Sequence, residues 1–255
     1  MIRGLARLLP EPIRSALRFV RYPERYAYFG PPLTYCKDGL ATMHRADFRH
    51  DPAFRAAYDS SHRSGAWEGS WGRADPEWQM YIACWAAAHA VRLGGDLAEC
   101  GVYRGGLSRT VMEYIGFQTM TDRRYWLLDT FEGIPPAQLD PTVIHRHRYP
   151  DTYAEVTQVF AAYPHVRIVR GTIPDTLSQV TSERLCFVSI DMNVAAPEIA
   201  AAECFWPRLV PAGVMLIDDY GWQGHEAQQS AFDEFARRQG REVLALPTGQ
   251  GLLIK

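Results

Sequence analysis

The stretch Asp96-Leu97-Ala98-Glu99-Cys100-Gly101-Val102-Tyr103-Arg104-Gly105-Gly106 runs from a short apolar segment into a glycine-bearing loop, and Ser108 opens a helical pattern just after it. Glycines at 101 and 105 allow close backbone approach where a strand turns into a helix. Their spacing is not the GxGxxG that cradles a dinucleotide pyrophosphate; it is a looser acid-x-Gly-x-x-x-Gly. Such glycines also serve turns that bind nothing. A Gly-x-Ser-x-Gly nucleophile elbow is excluded, because Gly106-Leu107-Ser108-Arg109-Thr110 ends in threonine.

Downstream of this loop, short apolar runs alternate with helical runs, the pattern of a parallel sheet covered by helices. Strands are expected at Asp96–Cys100, Tyr125–Asp129, Val166–Arg170, Leu185–Asp191, Val214–Asp218, Glu242–Leu246 and Gly251–Lys255. Helices are expected at Leu107–Gly116, Tyr153–Tyr163, Pro197–Trp206 and His225–Gln239, the last stopped by Gly240. Pro247-Thr248-Gly249-Gln250-Gly251 leaves no room for a helix, so the last two strands form a hairpin and the final one runs antiparallel. The expected fold is α/β: a Rossmann-like class I methyltransferase sheet of seven strands, the last antiparallel, preceded by an N-terminal helical segment.

Upstream the texture differs, with loops rich in aromatics, Arg and Pro. Residues 1–94 thus read as one segment and 95–255 as the domain that carries the sheet. One helix before the boundary has Asp75 as its N-cap, Pro76 in its first position, and Tyr81, Cys84, Trp85 and Ala88 on one face. An Arg-rich N-terminal stretch places Leu5, Leu8, Leu9, Ile13, Leu17 and Phe19 on an apolar side; packing on its own domain or a partner subunit suits it better than a membrane surface.

Composition narrows the function. The 255 residues are 47% hydrophobic, enough for a sizeable core, and the net charge of -2 argues against a nucleic-acid partner. All basic residues except Lys37 and Lys255 are arginines, a skew with no assigned role. No apolar run approaches the roughly 20 residues of a membrane span, and the N-terminus lacks signal-peptide layout. An odd number of cysteines, five, without CxxC pairs suits reduced thiols in the cytoplasm.

Two strand ends carry the chemistry. Asp129 ends the second strand, where doubly wound folds place an acid against ribose hydroxyls, with Thr130-Phe131-Glu132-Gly133 beside it; the alternative is that it caps the turn. Gly171 and Thr172 follow the third strand, near an adenine. Asp191 ends the fourth strand and Asp218-Asp219 the fifth. These strands are neighbours in this fold, so three carboxylates converge, and their mutual repulsion calls for a divalent cation, Mg²⁺ first, with Mn²⁺ or Ca²⁺ as substitutes.

Ala98–Gly106, Leu128-Asp129-Thr130-Phe131-Glu132-Gly133, Ile190-Asp191-Met192-Asn193, Leu209-Val210-Pro211-Ala212-Gly213 and Ile217-Asp218-Asp219-Tyr220-Gly221 together resemble the macrocin O-methyltransferase-like family. The resemblance spans roughly Asp38 to Lys255. It implies S-adenosylmethionine- and Mg²⁺-dependent methylation of sugar hydroxyls on glycosylated natural products such as macrolide and aminocoumarin antibiotics. It further implies cofactor contacts at Glu99, Gly101, Ser108, Asp129, Thr130, Phe131, Gly171, Thr172 and Asn193, metal ligation by Asp191, Asp218 and Asp219, residues 1–94 as a helical lid and oligomerisation segment over a 95–255 methyltransferase domain, and a homodimer or higher oligomer. It places Asp38-Gly39-Leu40-Ala41-Thr42-Met43-His44 and the Trp67/Trp71 pair nearest the substrate. One departure matters: in several members an aspartate two residues past the first metal ligand is the candidate base, and here that position is Asn193, which accepts no proton at neutral pH. Asp191 orients the acceptor through the metal, and His225, His145 and His147 are the candidate proton acceptors. Competing readings are an S-adenosylmethionine-binding protein that no longer methylates, a phenol or catechol methyltransferase and, least favoured, a dinucleotide-dependent dehydrogenase.

Overall fold

The computed structural model describes residues 32–66, 75–139 and 149–255. The expected N-terminal amphipathic stretch, Trp67, Trp71, His145 and His147 lie outside the described residues. The larger of two compact units comprises Lys37–Leu40 and Ala46–Lys255 and carries the sheet. In the smaller, the Thr34 N–H and hydroxyl both donate to the Thr42 carbonyl, at 3.0 and 3.1 Å.

The sheet has seven strands: β1 Asp96–Cys100, β2 Tyr125–Asp129, β3 Val166–Arg170, β4 Leu185–Ile190, β5 Leu209–Ile217, β6 Leu244–Ala245 and β7 Gly251–Ile254. Their order is β3-β2-β1-β4-β5-β7-β6. The first five run parallel, and β7 is antiparallel to both its neighbours, as the hairpin requires. The chain reverses direction across the sheet between β1 and β4, and this is where open α/β sheets bind ligands.

Side chains alternate between two cores, as the strand period of two demands. Leu97, Leu127, Phe187, Val214, Leu216 and Leu252 face one side, with residues of α1 (Pro52–Arg63), α2 (Glu77–Ala90) and α3 (Gly106–Ile115). Ala98, Leu128, Val188, Ile190, Met215 and Leu253 face the other, under α5 (Ala195–Phe205) and α6 (Glu226–Arg238). The short α4 is Tyr153–Val159.

Several boundaries differ from the sequence reading for physical reasons. β5 starts at Leu209 rather than Val214: the pairing jumps from Leu185↔Leu209 to Phe187↔Val214, so Pro211-Ala212-Gly213 is taken up inside the strand as an irregularity. β6 shrinks to two exposed edge residues. α4 stops at Val159, four residues short of Tyr163, the residue whose helical geometry Pro164 disfavours. α5 begins two residues before Pro197, which sits in the first turn where its missing N–H costs nothing. α6 ends as expected, with Gly240 at φ +65° and the Arg241 N–H donating to the Ala236 carbonyl at 2.9 Å.

The start of α2 is a clearer correction. Pro76, not Asp75, is its N-cap, and it caps through no side-chain bond. Asp75 instead accepts from Lys37 Nζ and, at 2.5 Å, from the Tyr58 hydroxyl. Nor does α2 present one apolar stripe: Met80, Ala83, Cys84, Ala86, Ala87 and Ala90 are buried, while Trp85 is 51% exposed. Its first residue, Glu77, is only 2% exposed and accepts from Lys37 Nζ at 3.1 Å, Arg49 Nε at 2.8 Å and Arg55 Nη1 at 2.6 Å. Three segments that share no secondary structure are thereby tied to one carboxylate.

Removing that carboxylate takes a buried partner from three cations, although Lys37 keeps Asp75 and Arg55 keeps Asp59. Losing one partner of a buried pair costs about 3–5 kcal/mol, less when the other partners are partly solvated as here. Glu77→Gln is expected to lower unfolding free energy by about 2 kcal/mol in urea denaturation; a loss below about 0.5 kcal/mol contradicts the assignment.

Candidate active site

The loops leaving β1 and β2 are stapled by one side chain. Asp129 Oδ2 accepts from the Val102 and Tyr103 N–H groups at 2.6 and 2.8 Å, and Oδ1 from Phe131 N–H at 2.7 Å. The Thr130 hydroxyl donates to the Gly133 carbonyl at 2.6 Å, which tightens the second loop. At Gly101 (φ +87°) an added Cβ would lie 1.6 Å from the Asp191 carbonyl oxygen, so only glycine fits where β1 passes β4. Gly105 (φ +84°) is the N-cap of α3, and a Cβ there would fall 2.5 Å from the Phe160 ring.

These loops line a cavity of about 450 Å³ at the carboxyl edge of the sheet, within the range of small-molecule sites. Of the cofactor residues expected from sequence, Glu99, Gly101, Asp129, Thr130, Phe131, Gly171 and Asn193 line it. Ser108 is fully buried and stands behind the wall, its hydroxyl donating to the Gly105 carbonyl at 3.4 Å. Thr172 is not brought in: its hydroxyl turns to Asp175 at 2.8 Å, and Ile173 and Gln138 form that part of the wall. Glu99 is 2% exposed, with Oε2 lacking any partner, and burial holds its carboxyl well above the usual range.

Asp191, Asp218 and Asp219 line the same cavity, together with His225, Asn193, Asp38 and Trp222. Asn193 sits at φ +60°, a left-handed position asparagine tolerates, and its Nδ2 donates to Asp191 Oδ1 at 3.1 Å. Gln250 Nε2 donates to Asp218 Oδ1 at 3.0 Å. Asp219 Oδ2 is buried without a hydrogen bond, 3.3 Å from His225 Nδ1 in a geometry that makes none. Burial and the neighbouring aspartates push Asp191 far up; burial and Asp219 raise Asp218 to about 7; burial raises Asp219 to about 6. Among the described residues, Asp191 and Asp218 each keep one carboxylate oxygen free of hydrogen bonds. An all-oxygen set with more negative charge than its burial tolerates fits a hard divalent cation, although the side chains do not close into a preformed cluster among the described residues.

Sequence reasoning missed three residues behind this wall. Glu198, 1% exposed, accepts from Met192 N–H at 3.0 Å and Gln228 Nε2 at 3.4 Å, and burial with Asp219 raises it to about 8. Gln228 Oε1 in turn lies 3.0 Å from His225 Nδ1. Gln250 is fully buried beneath Asp218. The only signal for Glu198 is a lone acid in the apolar run Ala195-Ala196-Pro197-Glu198-Ile199-Ala200-Ala201.

A family model described as Macrocin-O-methyltransferase (TylF) matches residues 79–244, more than half of the chain. The 8-demethyl-8-(2,3-dimethoxy-alpha-L-rhamnosyl)-tetracenomycin-C 4'-O-methyltransferase of Streptomyces olivaceus is 33% identical over 138 residues, covering 49% of this chain and 53% of that protein. Mycinamicin III 3''-O-methyltransferase of Micromonospora griseorubida is 29% identical over 140 residues, covering 49% and 55%. The chain thus spans about half the length of the curated relatives it matches. The O-methyltransferase NovP superposes with a TM-score of 0.63 at 19% identity, covering 83% of this chain and 99% of that one. The calicheamicin methyltransferase CalS11 gives 0.57 at 13%, covering 83% and 94%. At such identities the likeness is one of fold, and the fold is that of class I methyltransferases.

The raised carboxyls set a pH dependence. Unfolded aspartates titrate near 4, so the native state binds more protons between about pH 4 and the Asp218 value of about 7, and stability falls as pH rises through that window. In chelator, Asp218→Asn is expected to melt about 3 °C or more above the wild type at pH 8, with the difference shrinking as pH falls and vanishing by about pH 4. Thermal melts in which the variant gains nothing at pH 8 contradict the buried-charge account.

Proposed function

This chain belongs to the macrocin-O-methyltransferase (TylF) family, and on that footing we propose that it is an S-adenosylmethionine- and Mg²⁺-dependent O-methyltransferase acting on a sugar hydroxyl of a glycosylated natural product, as in antibiotic biosynthesis. The observation that carries the reading is one cavity lined both by the glycine-bearing β1 and β2 loops and by Asp191, Asp218 and Asp219.

The methyl donor supplies an electrophilic carbon on a sulfonium. Gly101 lines the cavity that would take the donor, and Glu99, with a buried oxygen unpaired among the described residues, is the acceptor suited to its ammonium group. Asp191, Asp218 and Asp219 would hold Mg²⁺, which would supply Lewis acidity toward an acceptor hydroxyl. Asn193 and Gln250 orient two of those carboxylates, and His225 flanks the third. The cavity walls would orient the acceptor hydroxyl toward the donor, and such positioning would supply much of the acceleration expected of methyl transfer. Asn193 holds no proton-accepting oxygen basic enough to take the hydroxyl proton.

A reducing, cytoplasmic setting is in keeping with five free cysteines; among the described residues no helix is long and apolar enough to cross a membrane. A homodimer or higher oligomer, with the segment before residue 95 as its lid, completes the proposal.

Calorimetry with S-adenosylhomocysteine, with and without Mg²⁺, tests the site, and a panel of glycosides against catechols tests the acceptor. Asp191→Ala is expected to keep S-adenosylhomocysteine binding and to lose Mg²⁺-dependent turnover by about 100-fold or more. Tight S-adenosylhomocysteine binding to which Mg²⁺ adds nothing, with Asp191→Ala silent, overturns the metal-dependent reading. Turnover of catechols alone overturns the sugar acceptor.

A further inference from the structure

We propose that Asp38 is the catalytic proton acceptor for the sugar hydroxyl, filling the role that Asn193 leaves vacant; the proposal rests on the methyl-transfer reading above. Asp38 lines the cavity together with Asp191, Asp218 and Asp219, although it lies far from them in sequence. Its backbone is held in the left-handed region at φ +49°, followed by Gly39 at φ +73°. Both flanks of this turn are pinned. Lys37 reaches back to Asp75 and Glu77, and Gly39 sits so close to Trp222 that a Cβ there would fall 2.9 Å from the indole.

Between those pins the Asp38 carboxylate makes no hydrogen bond and no ion pair among the described residues. A half-buried carboxylate without a partner, in a sparsely populated backbone conformation fixed on both sides, is maintained against its own desolvation cost. The free lone pairs therefore await a donor that enters the cavity, and a hydroxyl is such a donor. Burial, with Asp218 and Asp75 nearby, holds this carboxyl at about 6, closer to neutrality than a solvated aspartate.

His225 is the weaker candidate. Its Nδ1 lies against Gln228 and Asp219, so the ring is committed to the wall that holds the third carboxylate.

The step balances. The acceptor O–H bond breaks and its proton passes to Asp38. The oxygen forms a bond to the methyl carbon as the carbon–sulfur bond of the sulfonium donor breaks, and that electron pair stays on sulfur. The products are a methyl ether, a neutral thioether and a protonated Asp38.

The test compares wild type, Asp38→Asn and Asp38→Glu as full chains, with S-adenosylmethionine, Mg²⁺ and a panel of methyl and aryl glycosides. Turnover is read as S-adenosylhomocysteine formed, and S-adenosylhomocysteine affinity is measured separately by calorimetry. Asp38→Asn is expected to lower kcat by about 100-fold or more, the usual contribution of a general base, with KM and S-adenosylhomocysteine affinity within about threefold of wild type. Asp38→Glu is expected to recover at least about tenfold of that loss. A kcat within about threefold of wild type, a change confined to KM, or an S-adenosylhomocysteine affinity that falls with kcat overturns the proposal. A wild type that turns over no glycoside overturns the underlying reading and this proposal with it, and is distinguished by its inactivity before any substitution.

Discussion

At residue 101 the end of β1 crosses the end of β4 with no space for a side chain. A Cβ at that point would lie 1.6 Å from the Asp191 carbonyl, and the neighbouring Asp191 N–H donates to Cys100 at 2.8 Å. That contact brings two loops with different chemistry into one cavity. One is the glycine turn stapled by Asp129. The other carries Asp191, held by Asn193. Without the close crossing, the two would sit on separate parts of the sheet edge.

The second determinant is electrostatic. Asp191, Asp218 and Asp219 are gathered where solvation cannot offset their repulsion, and each carboxyl is raised. Such an arrangement is costly as a structural device, because packed apolar residues would be more stable there. It is reasonable where charge is to be matched by a bound cation and a sulfonium donor. Supporting groups point the same way: Gln250, Asn193 and Glu198 hold the carboxylate-bearing segments in place without neutralising them.

The central sheet was legible because buried parallel strands are continuous apolar runs, as in Leu185-Cys186-Phe187-Val188-Ser189-Ile190. The residues at their carboxyl ends followed directly from strand order. Harder positions were those set by tertiary contacts. Pro211-Ala212-Gly213 reads locally as a turn, yet lies inside β5 because the adjacent strand tolerates a register shift. Asp75 has every local credential of an N-cap, but Lys37, nearly forty positions earlier, takes its carboxylate. Thr172 lies next to Gly171, but the hydroxyl bonds to Asp175 instead of facing the cavity. Glu198 carried no motif at all; its role is visible only once Met192 and Gln228 are seen around it.

The most direct measurement is a crystal structure with S-adenosylhomocysteine and Mg²⁺ soaked into the same crystals. The account predicts both in the cavity between the β1 and β4 loops, the cation bound by oxygens of Asp191, Asp218 and Asp219 and the cofactor backed by Gly101 and Asp129. S-adenosylhomocysteine bound elsewhere, or Mg²⁺ absent from the three aspartates at saturating concentration, contradicts it.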